Sequence, residues 1–186
     1  MENKTKFDFK KEFAAQTNKY TLIEALTGAD VFIGVSGPGL MTPEMVKVMA
    51  DKPIIFALSN PIPEIMPEVA HQVRQDLIMA TGRSDYPNQV NNALCFPYIF
   101  RGALDARASC INEAMQLAAV HAIKDLAREP VPESILAAYS HNGRLEFGPD
   151  YLLPTLLDPR LKERVSTAVA QAAIQSGVSL SPCTTN

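Results

Sequence analysis

Two apolar runs dominate the chain's pattern: Val31-Phe32-Ile33-Gly34-Val35-Ser36-Gly37 and Ile55-Phe56-Ala57-Leu58-Ser59-Asn60-Pro61. Each ends abruptly in small and polar residues followed by glycine or proline. Runs that are apolar at successive as well as alternate positions predict strands buried in a sheet with helices on both sides. The first strand is expected over 29–35, the second over 53–58, and a third, shorter one over 77–81. Between them the period changes to that of helices. Residues 6–28 carry Phe9, Phe13, Leu22, Ile23 and Leu26 at helical spacing, with Thr21 and Glu24 forming a capping box and Gly28 a stop. Thr42-Pro43-Glu44 reads as cap, first turn and acid of a helix running to about Asp51. Pro63-Glu64 and Pro67-Glu68 are successive helix-start signals, with the helix proper over 69–74.

Strands alternating with helices over short connections argue for βαβ units and a parallel sheet. After Asn92 the pattern becomes helical only, over 96–107, 111–128 and 160–176, with a proline break at Glu129-Pro130-Val131-Pro132-Glu133 and an ordered loop over 147–154. The tail over 179–186 is polar and expected to fray. No internal repeat or low-complexity segment interrupts the 186 residues, a length suited to one sizeable core with a small appendage. A net charge of -3 without a Lys/Arg cluster argues against nucleic acid or an anionic membrane as partner. No stretch is long and apolar enough to span a bilayer. Cys95, Cys110 and Cys183 are odd in number and scattered, which suits free thiols in a cytoplasmic setting better than a disulfide framework or a zinc site.

In open sheets of this kind ligands bind beyond the carboxyl ends of the strands, so Ser36-Gly37 and Ser59-Asn60 are the first candidates. Gly34-x-x-Gly37-x-Gly39 follows a strand and precedes a helix, but its spacing departs from Gly-x-Gly-x-x-Gly. It reads either as a tight turn or as a loop lining a cofactor. Asn60 can offer an uncharged amide to a ligand oxygen or close a local turn. Asn91 and Asn92 end the densest amide cluster in the chain, Tyr86-Pro87-Asn88-Gln89-Val90-Asn91-Asn92, and can cap a helix or face the same crevice. Arg83 and Arg101 can each neutralise an anion or simply be solvated. His71, His121 and His141 have no partnered spacing, Cys95 reads as a small core residue, and no acidic cluster has metal-ligand density. The residues themselves nominate no catalytic group and no metal ligand.

Taken in order, Ala29-Asp30-Val31-Phe32-Ile33-Gly34-Val35-Ser36, Pro53-Ile54-Ile55-Phe56-Ala57-Leu58-Ser59-Asn60-Pro61 and Ala80-Thr81-Gly82-Arg83-Ser84-Asp85-Tyr86-Pro87-Asn88-Gln89-Val90-Asn91-Asn92 closely resemble the malic enzymes, in their bacterial form. The resemblance extends through Phe96-Pro97-Tyr98-Ile99-Phe100-Arg101-Gly102-Ala103-Leu104-Asp105 to the helix ending near Gly177. It implies an α/β fold, a partial doubly wound, Rossmann-like parallel sheet followed by C-terminal helices. Residues 1–107 would form the partial NAD(P)-binding domain, 108–178 a helical extension packed on it, and 179–186 a tail.

The implied reaction is oxidative decarboxylation of malate to pyruvate and carbon dioxide, with NAD or NADP as hydride acceptor and Mg or Mn as Lewis acid. It assigns substrate binding to Asn60, Asn91 and Asn92, and cofactor binding to Ser36, Gly37 and Asn60. The family's catalytic Tyr and Lys, its metal-binding acids and its Gly-x-Gly-x-x-Gly loop have no counterpart in this sequence. The chain is therefore expected to be a C-terminal piece that pairs with a missing N-terminal half or forms a homo-oligomer. Its first strand would otherwise be an apolar unpaired edge. A non-catalytic binding or assembly module is the alternative expectation.

Overall fold

The computed structural model describes residue 11 and residues 13–139 and 145–180. Phe9, His141, Cys183 and the start of the helix expected from residue 6 lie outside the described residues, as do positions 181–186 of the expected tail. Three strands, β1 (Val31–Gly34), β2 (Ile54–Ala57) and β3 (Ile78–Thr81), form a parallel sheet in the order β1-β2-β3. The register aligns Gly34, Ala57 and Thr81 at one end. Between the strands lie the short helices α2 (Pro43–Lys47) and α3 (Pro67–Val73), and α1 (Leu22–Leu26) precedes them.

The local signals act as their chemistry requires. The Thr21 hydroxyl accepts from the Glu24 amide while the Glu24 carboxylate takes the Thr21 amide at 2.8 Å, closing the capping box of α1. The helix ends at Leu26, two residues past that box. The flanking Phe13 and Tyr20 are exposed, and an isolated helix with no core to cover gains too little to persist. Thr42 caps α2, whose first residue is Pro43. This helix stops at Lys47, short of the expected Asp51, because its continuation is recruited elsewhere. The Val48 carbonyl accepts from Gly28 and the Ala50 amide donates to Ala29. Arg74 donates to the carbonyls of Val46 and Met49 while Asp76 holds its guanidinium at 2.6 and 2.7 Å.

Helices α1, α2 and α3 pack against one another over a single face of the sheet. That face supplies Phe32, Ile55, Ala57 and Met79 to a core closed by Leu26, Val46, Met49, Ala70 and Leu77. Among the described residues the expected helical cover of both faces is not found. Val31, Ile33 and Val35 are 47%, 63% and 78% exposed, and Ile54 and Phe56 beside them are only half-buried. Hydrophobicity on both sides of a strand records that both sides are suited to burial, not that this chain buries both.

A second core lies among the later helices α4 (Phe96–Asp105), α5 (Glu113–Leu126) and α7 (Arg160–Gln175), with α6 (Glu133–Tyr139) between the last two in sequence. Met115, Ala119, Leu126, Leu161, Val165 and Val169 are its buried centre. Asn112 caps α5, and the buried Asp158 carboxylate accepts the Arg160 amide and grips its guanidinium at 3.0 and 2.7 Å. Asn88 binds the sheet to this half of the chain. Its amide donates to the carbonyls of Met79 and Pro149, and its oxygen accepts from the Leu152 amide. The residue sits at φ 56°, a left-handed conformation that Asn tolerates better than most side chains.

The packing of α4 on α7 is close at Gly102. A methyl group there would lie 2.4 Å from the Ser166 carbonyl oxygen and 2.7 Å from Val169 Cβ, and neither can swing away. Gly102→Ala is expected to lower unfolding free energy by about 1–3 kcal/mol, the usual range for overpacking. Urea denaturation measures it, and unchanged stability would mean that the two helices do not meet there.

Candidate functional site

The parallel register brings all three strand exits to one rim. Leu58, the residue after β2, donates its amide to the Gly34 carbonyl at 2.9 Å, continuing the ladder past the strand end. Val90 donates to the Thr81 carbonyl at 2.8 Å, and Gln89 bridges Thr81 in parallel, so the amide-rich segment returns to the end of β3. Ser36 and Gly37 therefore leave the rim beside Ser59 and Asn60, and Asn91 follows directly after the segment docked on β3.

What holds the first two exits together is a carboxylate. Glu64 is fully buried. Its Oε1 accepts from the Ser36 amide at 2.8 Å and the Ser36 hydroxyl at 3.1 Å, and its Oε2 accepts from the Ser59 amide at 3.1 Å. Burial alone pushes the carboxyl pKa up, but the bonds from Ser36 and Ser59 favour the charged form, and the net shift is downward. Gly34 makes room for it, since a Cβ there would fall 2.6 Å from the Glu64 carboxyl carbon. Expecting a helix start at Pro63-Glu64 missed this role. The backbone there is spent on the neighbouring loop instead, with Gly39 donating to the Pro63 carbonyl and Met41 to that of Glu64. The one signal in the sequence was a glycine ending a strand otherwise rich in large residues.

Ser36 is thus committed internally, while Gly37 opens outward. A Cβ on Gly37 would meet nothing within 4 Å, and residues 38–40 are exposed. Such a loop fits the uncharged part of a dinucleotide lying along it. It does not fit a diphosphate, because the Ser36 N–H is already taken and a carboxylate stands behind it. Asn60 is exposed. Asn91 is half-buried and its Oδ1 accepts from the Ala93 amide at 2.9 Å, capping the 3-10 turn Asn92–Leu94, which leaves its NH2 group for other use. Asn92 is exposed.

The two arginines considered as anion binders are each engaged by an acid. Arg83 holds both oxygens of Asp85 at 2.8 and 2.6 Å and lies 5.4 Å over the Tyr86 ring, whose hydroxyl donates to Glu68 at 2.5 Å. Arg101 pairs with Asp105 at 2.8 Å along α4. Cys95 is half-buried, which raises its thiol pKa, and Cys110 is exposed. Among the described residues no three His, Cys, Asp or Glu gather into a cluster that could hold a metal ion. Among the described residues no helix is long and apolar enough to cross a membrane. A hollow of about 700 Å3 is an open groove between α5 and α7, lined by Ala118, His121, Asp125, Arg164 and Gln171, and it includes none of the rim residues.

Comparison with known proteins places this geometry in context. The family model described as "Malic enzyme, NAD binding domain" matches residues 2–139. An NADP-dependent malic enzyme of Halomonas elongata is 62% identical over 174 residues, which are 94% of this chain and 41% of that protein. An NAD-dependent malic enzyme of Rhizobium meliloti is 52% identical over 175 residues, 94% of this chain and 23% of that one. The crystal structure of Entamoeba histolytica malic enzyme superposes with a TM-score of 0.79 at 37% identity, over 95% of this chain and 34% of that chain. The chain thus spans well under half the length of these relatives.

Glu64 makes a measurable contribution to stability. Replacement by Gln keeps the shape but turns an NH2 group toward one of the two loop amides. Glu64→Gln is therefore expected to cost about 1–3 kcal/mol at neutral pH. Because the folded pKa lies below the unfolded value of about 4.3, this contribution is complete above that value. It is lost as pH falls through the folded pKa. Urea unfolding at pH 7 and pH 3 should show the gap between wild type and variant narrowing at pH 3, and an equal gap at both would refute the assignment.

Proposed function

The chain belongs to the malic enzyme family, and on that premise we propose that its strand-end rim binds NAD or NADP and presents amides to malate. The overall reaction proposed for the complete enzyme is oxidative decarboxylation of malate to pyruvate and carbon dioxide. Ser36 and Gly37 form the wall along which the cofactor lies, Asn60 serves both cofactor and substrate, and Asn91 and Asn92 donate to substrate oxygens. When bound, the dinucleotide supplies the hydride acceptor. Residues 1–107 are read as the cofactor-binding part and 108–178 as the helical extension. What carries this reading is the register that ends β1, β2 and β3 together, with the open Gly37 loop and exposed Asn60 side by side.

Amides orient and donate, but they do not titrate near neutral pH, so acid-base steps fall to other residues of the complete enzyme. The same holds for Mg or Mn, which is proposed as a cofactor of the complete enzyme held by ligands beyond those described. Unpaired Cys95 and Cys110 support a cytoplasmic setting.

A second reading, that the chain works as an assembly module without activity of its own, is favoured by one observation. Among the described residues the face bearing Val31, Ile33 and Val35 is uncovered, and it adjoins β1 at the edge of the sheet. Such a surface calls for a second copy or a further length of polypeptide.

Two measurements address these readings. Titration of the pure chain with NADPH, followed by its fluorescence, should show saturable binding. Gly37→Leu should weaken that binding tenfold or more while leaving the melting temperature unchanged, since the added side chain enters open space. Equal binding by both proteins would remove the loop from the site. In sedimentation the chain should self-associate and Ile33→Lys should shift it toward monomer. A wild-type monomer at all concentrations would remove the homo-oligomer.

A further inference from the structure

We propose that Glu64 is a positioning residue that locks the loop after β1 to the loop after β2, so that contact with a ligand at Ser36-Gly37 is transmitted to Asn60. The inference rests on the cofactor reading above for the identity of the ligand, but not for the linkage itself. One carboxylate accepts from both loops: Oε1 from Ser36 at 2.8 Å and Oε2 from Ser59 at 3.1 Å. Its two oxygens are fixed in one plane, so a displacement of Ser36 turns the group and moves the acceptor of Ser59. Ser59 is bonded in sequence to Asn60, so a shift of the Ser59 amide is passed to the backbone of Asn60.

The carboxylate cannot absorb the motion by tilting away. Its carbon lies where a Cβ on Gly34 would be only 2.6 Å distant, so the sheet backs it directly. Glu64 itself is flanked by the buried Pro63 and Ile65. It is also a titratable group with no water contact, and no proton transfer in the proposed reaction uses it. Its chemistry suits alignment: a permanent acceptor, charged under working conditions, serving two donors 23 residues apart in the chain, Ser36 and Ser59.

Two backbone bonds run in parallel with this link, Gly39 to the Pro63 carbonyl and Met41 to the Glu64 carbonyl. The experiment must separate side chain from backbone. Amide resonances of the full chain are followed by NMR for Ser36→Ala, which removes only the hydroxyl donor to Oε1, in the wild-type and Glu64→Gln backgrounds. With Glu64 present, Ser36→Ala should shift the Ser59 and Asn60 amides. In the Gln background that response should fall severalfold. An undiminished response would assign the coupling to the backbone bonds and overturn the proposal.

Should Glu64→Gln fold poorly, acid titration of the wild-type chain gives the same answer. Ser36 and Ser59 amides should titrate together with one midpoint, and independent midpoints would overturn the link. Addition of NADP+ then tests the ligand. Shifts at Ser36-Gly37 and at Asn60 in the wild-type chain support the cofactor reading, in which both loops meet the ligand. No response to NADP+ with the mutational coupling intact overturns the cofactor reading and leaves the linkage standing.

Discussion

The rim depends on one buried negative charge. A carboxylate removed from water is costly unless its lone pairs are filled, and Glu64 fills them with two backbone amides and a hydroxyl. Those donors come from two different strand exits, so the need to satisfy one acid decides where both loops stand. The remaining geometry follows from that requirement. Gly34 has no side chain because the carboxylate occupies the space. The 36–41 loop folds back on Pro63 and Glu64 because its amides find acceptors there. The open stretch at Gly37 is what is left facing solvent.

The parts of the fold that could be read from the sequence are those whose causes are local. The capping box at Thr21 and Glu24, the Thr42-Pro43 helix start and the three apolar strands each need only a few consecutive residues to be recognised. Boundaries were less legible because they are set by distant partners. Helix α2 stops early where distant groups take the carbonyls at its end, Arg74 those of Val46, 28 residues away, and of Met49, and Gly28 that of Val48. Glu64 was invisible for the same reason, its partner Ser36 lying 28 residues away. Read locally, Pro63-Glu64 is a helix start, and nothing nearby contradicts it.

The candidate amides divide in a similar way. The cluster over 86–92 was visible as a cluster, but its members serve different ends. Asn88 is buried and bonded at both its nitrogen and its oxygen, which fixes the 149–152 loop against β3. Asn91 spends its oxygen on a turn and keeps its nitrogen. Composition cannot sort such roles, because the same side chain caps, bridges or binds according to which donors the fold brings near. The two-sided hydrophobicity of β1 is a related case: it states what the strand can bury, while the layer of helices decides what it does bury.

The electrostatics of the rim limit what these residues can contribute to any reaction on an anionic substrate. The acid at its centre is internal and charged, and the two candidate arginines, Arg83 and Arg101, are each matched by an aspartate. A dianion approaching Asn60 and Asn91 would find directional hydrogen-bond donors but little compensating charge. Directional donors fix orientation; they do not offset the cost of desolvating two carboxylates. On the proposed reading, then, orientation belongs to this chain, and charge neutralisation and proton transfer must be brought to the rim by groups from across the cleft. An uncovered apolar sheet face beside that rim is a suitable surface for such groups to be carried in on, because burying it would supply the free energy to hold them there.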